Sequence, residues 1–86
     1  MSLFIDLHDL PGPVSMEEAA KAHAADLRVQ PEFGVHYLRY WVDERHGKIF
    51  ALVDAPDAVA AHAVHRMAHG LVPGAIFPVR EALLLA

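Results

Sequence analysis

Apolar and polar residues alternate in the segment "LFIDLH" near the beginning of the chain. This alternation is typical of a half-buried β-strand. Leu3, Ile5 and Leu7 fall on one side, and we expect that side to pack against helices, which leaves Asp6 and His8 on the open face of a sheet. Three further segments, "VHYLRYWVDE", "KIFALVD" and "AIFPV", are rich in β-branched and aromatic residues, and the first two form a hairpin around the turn "RHG".

Two helices separate these strands. Ser15 and Glu18 form a capping box at the start of a helical pattern that runs to about Gln30. A second helix is predicted from Pro56 to Gly70, because proline favours the first turn of a helix and glycine its C-terminal cap. The order βαββαβ predicts one α+β domain over residues 1–86, a ferredoxin-like sandwich with an antiparallel sheet and two helices on one face.

In the first helix, His23 lies in the middle of the apolar side, which includes Met16 and Leu27. We therefore expect His23 to be buried, with Asp26 close enough to bind one of its ring nitrogens. Two interpretations stay open: a core histidine that is simply satisfied by Asp26, or a metal ligand or general base held by a carboxylate.

Three histidines form a stripe on the second helix. At 100° per residue, His62, His65 and His69 fall within a sector of roughly 60°, opposite an apolar side that includes Val59 and Met67. The stripe is therefore expected to face away from the core. It is either an ordinary polar surface or a metal-binding face, for which His65 and His69, four residues apart, make the better pair.

The hairpin has its own alternation. We expect Leu38 on the helix side and Tyr37, Arg39 and Trp41 on the open face. A surface that is both aromatic and charged is typical of a subunit interface or a lined cavity. In a dimer interface Arg39 would form a cross-strand ion pair with Asp6.

The composition of the chain limits the classes of function that it can have. Hydrophobic residues make up 55% of only 86 residues, which favours self-association because so short a chain has a small core to bury them in. A net charge of -4 without a basic cluster argues against nucleic acid and anionic membranes. There is no cysteine, so any metal ligands are histidines and carboxylates. No membrane span or signal peptide is evident, and we expect a cytoplasmic protein.

The succession "FIDLH", "AHAADL", "FGVHYLRYWVDE", "GKIFALVDAPDAVA" and "VHRMAHGLV" resembles a small actinobacterial-type family, one branch of which is nickel-binding. The resemblance covers residues 4–81 and implies a ferredoxin-like homodimer with a divalent metal site. The metal-capable residues of the family fall here on Asp6, His8, His23, Asp26, His65 and His69.

Two positions depart from the family pattern. Ala51 stands where the family usually has Cys, and Met67 stands where it usually has Glu. Nickel or another divalent metal then requires a nitrogen and oxygen site. His62 is outside the family pattern.

The leading hypothesis is therefore a cytoplasmic, homodimeric, non-catalytic protein that binds nickel or a similar divalent ion, with His65 and His69 as the main ligand pair. One alternative is a cofactor-free dimeric α/β-barrel enzyme or small-ligand binder that uses a pocket near His23 and Tyr37, with His23 as general acid or base. Another is a structural or regulatory dimer that has lost its metal site, as the changes at Ala51 and Met67 suggest.

Overall fold

The computed structural model describes residues 2–82. Its elements follow the predicted order with one short addition, a 3₁₀-helix after the first α-helix. They are β1 (Ser2–Asp9), α1 (Met16–Val29), the 3₁₀-helix (Gln30–Phe33), β2 (His36–Asp43), β3 (Lys48–Ala55), α2 (Ala58–Ala68) and β4 (Ala75–Val79).

The four strands form one antiparallel sheet in the order β2-β3-β1-β4. The two helices pack against each other and against this sheet. This is the ferredoxin-like α+β fold, and the predicted fold class is confirmed. None of the helices in residues 2–82 is both long and apolar enough to cross a membrane.

The capping box predicted at the start of α1 is present. The Ser15 hydroxyl accepts from the Glu18 backbone N–H at 3.0 Å, and Glu18 Oε1 accepts from the Ser15 N–H at 3.3 Å. Glu44, beyond the end of β2, accepts the Met16 N–H at 2.7 Å. These bonds fix the first turn of α1 against the hairpin, so the direction of the helix along the sheet is set locally.

The faces of β1 are the reverse of those predicted. Phe4, Asp6 and His8 are buried under the helices, whereas Leu3 and its alternate neighbours lie on the open face. Alternation identifies two faces but not which of them meets the helices, and here the helices supply polar partners for the charged face. An ion pair between Asp6 and Arg39 is therefore excluded, because Arg39 lies on the open face.

A β-bulge in β2 changes the predicted hairpin faces. Tyr37 is opposite Val53, but Arg39 is already opposite Leu52, so Leu38 is the extra residue. Tyr37 consequently turns towards the helices and is buried, and Leu38 is 52% exposed. The predictions for these two residues were wrong.

The helices also present different sides to the sheet from those expected. On α1 the buried residues are Ala19 and Asp26, while Met16 and Leu27 are exposed and His23 is only half-buried. The helix therefore packs through small and polar residues, which a hydrophobicity pattern assigns to solvent.

Helix α2 also presents a different side to the sheet from the one predicted, and the differences in exposure are larger. Val59 is 76% exposed and Met67 59%, whereas His65 is only 2% exposed and packs beside Ala61 and Val64. The prediction that the histidine stripe faces away from the core was wrong for His65. Its burial is possible because carboxylates from β1 and α1 meet it, as described next.

Candidate metal centre

Five polar side chains from three elements meet between the sheet and the helices. Strand β1 supplies Asp6 and His8, α1 supplies Asp26, and α2 supplies His65 and ends at its C-cap residue, His69. We call these five residues the His/Asp cluster. Four of them are buried, and His69 is partly exposed. Buried ionisable groups require partners, and the cluster supplies them internally.

His65 occupies the middle of the cluster. Its Nε2 lies 2.8 Å from Asp6 Oδ2, and its Nδ1 lies 3.1 Å from Asp26 Oδ1. The imidazole therefore bridges two carboxylates that come from different elements. The Tyr37 hydroxyl, turned inward by the bulge, lies 2.6 Å from His65 Nε2 and donates to Asp6 Oδ2 at 3.3 Å.

The outer end of the cluster is held by the chain just after α2. His69 Nε2 lies 3.0 Å from Asp26 Oδ1 and 3.4 Å from His65 Nδ1. The backbone N–H of Leu71 donates to His69 Nδ1 at 3.1 Å. Both ring nitrogens of His69 thus have partners.

At the inner end of the His/Asp cluster, hydrogen bonding is less complete. Asp6 Oδ1 is buried and has no hydrogen-bond partner among residues 2–82. His8 Nε2 lies 4.0 Å from it. The His8 ring stands edge-on to His65, with ring centroids 4.6 Å apart. A buried carboxylate oxygen without a donor is costly unless something else binds it.

The two carboxylates separate the pKa values of the histidines. Burial would lower the pKa of His65, but its hydrogen bonds to Asp26 and Asp6 outweigh this and raise the pKa to about 9. Burial and the neighbouring His65 lower the pKa of His8 to about 4. At neutral pH His65 is therefore an imidazolium, and His8 is neutral with a lone pair available for an ion.

A small cavity of about 30 Å³ adjoins the cluster. Its wall includes His8, His65 and His69 together with apolar side chains such as Leu10 and Leu71. A space of this size holds a single water molecule or ion rather than an organic substrate.

His23 lies on the wall of this cavity but outside the cluster. Its ring packs against Tyr40, with centroids 4.5 Å apart. Burial lowers its pKa, against the opposing effect of Asp26. Among the described residues His23 is in neither of the groups of three that have metal-ligand spacing.

Those two groups are Asp6, His8 and His65, and Asp26, His65 and His69. Two ligand atoms that each lie about 2.1 Å from one ion are separated by about 3.0–3.4 Å when adjacent, and by no more than about 4.2 Å. The measured separations of 2.8, 3.0, 3.1, 3.4 and 4.0 Å fall near this range. The residues present therefore fit a divalent ion.

The two departures from the family pattern lie in different places. Ala51 is buried opposite Asp6 on β3 and lines the cavity. Met67 is exposed on α2 and is not among the residues that line the cavity. Met67 therefore lies outside the His/Asp cluster, whereas Ala51 lies beside it.

Sequence reasoning missed Tyr37 as a neighbour of the centre. Only the bulge at Leu38 brings Tyr37 to the helix side, and no residue pattern in β2 marks that bulge. Five of the six candidate ligands do come together, and the sixth, His23, lines the adjoining cavity without belonging to either group of three.

Comparison with known proteins identifies relatives. The sequence profile of the family described as "Nickel responsive protein SCO4226-like" matches residues 4–79. The crystal structure of SCO4226 from Streptomyces coelicolor A3(2) is similar with a TM-score of 0.89 and 30% sequence identity, over 95% of this chain and 100% of that one. Among curated proteins there is no significant match.

Proposed function

The chain belongs to the SCO4226-like family of nickel responsive proteins, and on that premise we propose that it binds one divalent transition-metal ion, of the nickel type, in the His/Asp cluster. The role is binding rather than catalysis. The cavity of about 30 Å³ beside His8, Asp26, His65 and His69 has the size of a single ion or water molecule.

The observation that carries this proposal is the state of Asp6. Its carboxylate is fully buried, and Oδ1 has no hydrogen-bond donor among the described residues. Next to it is the imidazole of His8, which is neutral at pH 7. An unpartnered anionic oxygen beside an uncharged nitrogen lone pair is a favourable environment for a cation.

The ligand types favour nickel, zinc or cobalt over magnesium or calcium. Imidazole and carboxylate together suit the borderline transition metals, whereas the alkaline-earth ions prefer oxygen alone. Burial would lower the pKa of His65, but its hydrogen bonds to Asp26 and Asp6 raise it, so His65 holds a proton that an entering dication would have to displace.

Equilibrium dialysis tests the proposal. Protein stripped with EDTA is dialysed against micromolar Ni²⁺ or Zn²⁺, and the bound metal is measured by mass spectrometry. We expect about one ion per chain for the unchanged protein and for His46→Ala, which changes an exposed histidine that is paired with Asp43. A combined His8→Ala and His65→Ala variant is expected to bind none. Equal binding by this variant and the unchanged protein would contradict the proposal.

We further propose that the protein is a homodimer that pairs through the open face of the sheet. Residues that lie opposite one another in the ladder share a face, and on the open face apolar residues occur along all four strands. Its members include Leu3, Ile5, Leu7, Trp41, Phe50, Leu52, Phe77 and Val79. Trp41 is 49% exposed.

A second copy of this chain is the occupant that fits this face. Two such sheets placed face to face bury aliphatic and aromatic groups on both sides and give a closed, two-fold barrel-like assembly. Left bare, the face would be an unusually large apolar patch for a monomer.

A further inference from the structure

We infer that the metal ligands are Asp6, His8 and Nε2 of His65, and that Asp26 and His69 are positioning residues that bind no metal. This inference rests on the proposed function, since it decides which of the two groups in the His/Asp cluster holds the ion. It departs from the sequence-based expectation that His65 and His69 are the main ligand pair.

The backbone N–H of Leu71 is a donor whose direction is fixed. The N–H of Leu71 donates to His69 Nδ1 at 3.1 Å, so that nitrogen has its lone pair directed at Leu71. In a neutral imidazole the other nitrogen then carries the proton. His69 Nε2–H accordingly donates to Asp26 Oδ1 at 3.0 Å.

The same carboxylate oxygen determines the orientation of His65. An ionised carboxylate only accepts hydrogen bonds, and Asp26 Oδ1 lies 3.1 Å from His65 Nδ1. His65 Nδ1 therefore carries a proton, which leaves Nε2 as the nitrogen able to bind an ion. A histidine ligand that donates its second N–H to a carboxylate is a common arrangement at metal sites, where it fixes the tautomer and the ring orientation.

His65 Nε2 faces the unsatisfied end of the cluster. It lies 2.8 Å from Asp6 Oδ2, with Oδ1 of the same carboxylate lacking a partner and His8 packed edge-on. In the metal-free protein a proton occupies the space between Nε2 and Asp6. An ion bound here would take the place of this proton, which would leave to water, and the Tyr37 hydroxyl, 2.6 Å from Nε2, would have to shift away from that nitrogen while keeping its bond to Asp6 Oδ2.

The alternative group conflicts with this pattern. For His69 Nε2 to bind an ion, the ring proton would have to move to Nδ1, where it would point at the Leu71 N–H and break that bond. His65 Nδ1 would also have to give up its proton to Asp26. The close spacing of Asp26, His65 and His69 is thus explained by hydrogen bonds alone.

Nuclear magnetic resonance with ¹⁵N-labelled protein and Zn²⁺ tests this directly. Two-bond ¹H–¹⁵N correlations distinguish a protonated from a metal-bound nitrogen in each histidine ring. We expect His65 to become bound through Nε2 while Nδ1 keeps its proton, His8 to become bound, and His69 to keep its proton on Nε2. Coordination through His65 Nδ1 or through His69 would overturn the inference.

Dialysis of single variants provides an independent measurement. We expect His69→Ala and Asp26→Asn to keep about one ion per chain with roughly 10–100-fold weaker affinity, as is usual when a supporting partner of a ligand is lost. His8→Ala and Asp6→Asn are expected to lose stoichiometric binding. Circular dichroism and urea unfolding show whether each variant is folded. If Asp6→Asn does not fold, His8→Ala still decides the test.

Failure of the proposed function and failure of this inference alone give different results. If the unchanged protein binds no ion, or if all four variants bind like it, the proposed function fails together with this inference. If His69→Ala loses the ion while folded His8→Ala retains it, the cluster does bind metal, and only the assignment of the ligands is wrong.

Discussion

His65 Nε2 lies 2.8 Å from Asp6 Oδ2, although one residue is on the last helix and the other on the first strand. Both side chains are almost completely inaccessible to water. The pair therefore links α2 to the centre of the sheet, and each charge depends on the other for compensation.

Removing one member of this pair is predicted to destabilise the metal-free protein strongly. Asp6→Leu or His65→Leu should each lower the free energy of unfolding by about 3–5 kcal/mol, because the remaining charge is left buried and unpaired. The double variant should cost clearly less than the sum of the two. Urea unfolding of the three variants in EDTA gives the coupling, and simple additivity would show that the two residues do not interact.

The pH dependence of stability follows from the two shifted histidines. His65, whose pKa is raised to about 9, holds a proton that the unfolded chain loses above about 6.5, so stability decreases as pH rises from 6.5 through 9. His8, whose pKa is lowered to about 4, stays unprotonated where the unfolded chain takes up a proton, so stability decreases as pH falls from 6.5 towards 4.

The expected result is a maximum in the free energy of unfolding near pH 6.5, measured by urea unfolding in EDTA. His8→Asn, which cannot titrate, should flatten the acid side while leaving the alkaline side unchanged. If stability instead rises steadily from pH 6.5 to 9, His65 is not an imidazolium in the folded protein.

Tyr37 is predicted to support the centre without holding the ion. Tyr37→Phe removes the hydroxyl near His65 and Asp6 but keeps the buried ring, and should lower the free energy of unfolding by about 1–3 kcal/mol. The number of ions bound per chain should not change. A loss of metal stoichiometry in this variant would instead make the phenol a ligand.

The proposed dimer depends on Trp41. Trp41→Ala should weaken self-association by about 2–4 kcal/mol, because a central aromatic anchor is lost. Met67→Ala is the matched control, since Met67 is 59% exposed, compared with 49% for Trp41, but lies on α2, away from the open face. Sedimentation velocity across a concentration series measures both variants, and a stable monomer of the unchanged protein at micromolar concentration would refute the dimer.

The order of the elements could be predicted from the sequence because caps, turns and periodicity are local signals. Which side of each strand and helix is buried could not be predicted. Asp6, His8 and His65 are polar, so a hydrophobicity pattern assigns them to solvent, yet each is buried because its partner comes from a distant segment. Resemblance to the family brought these residues together as candidates before their geometry was known.

The bulge at Leu38 shows the same limit within a single strand. One extra residue changes which side chains face the helices, and it moves Tyr37 from the expected open face to the metal centre. Neither the residues of β2 nor their alternation differ from those of a regular strand, so this part of the site depends on the pairing with β3.

Anomalous diffraction at the nickel absorption edge, from crystals grown with Ni²⁺, is the most direct test of the central claim. We predict one strong peak per chain inside the protein, within coordination distance of Asp6, His8 and His65 Nε2, with no peak bound to His69. Peaks confined to exposed histidines such as His36 and His46, with the Asp6 carboxylate left uncoordinated, would contradict the account.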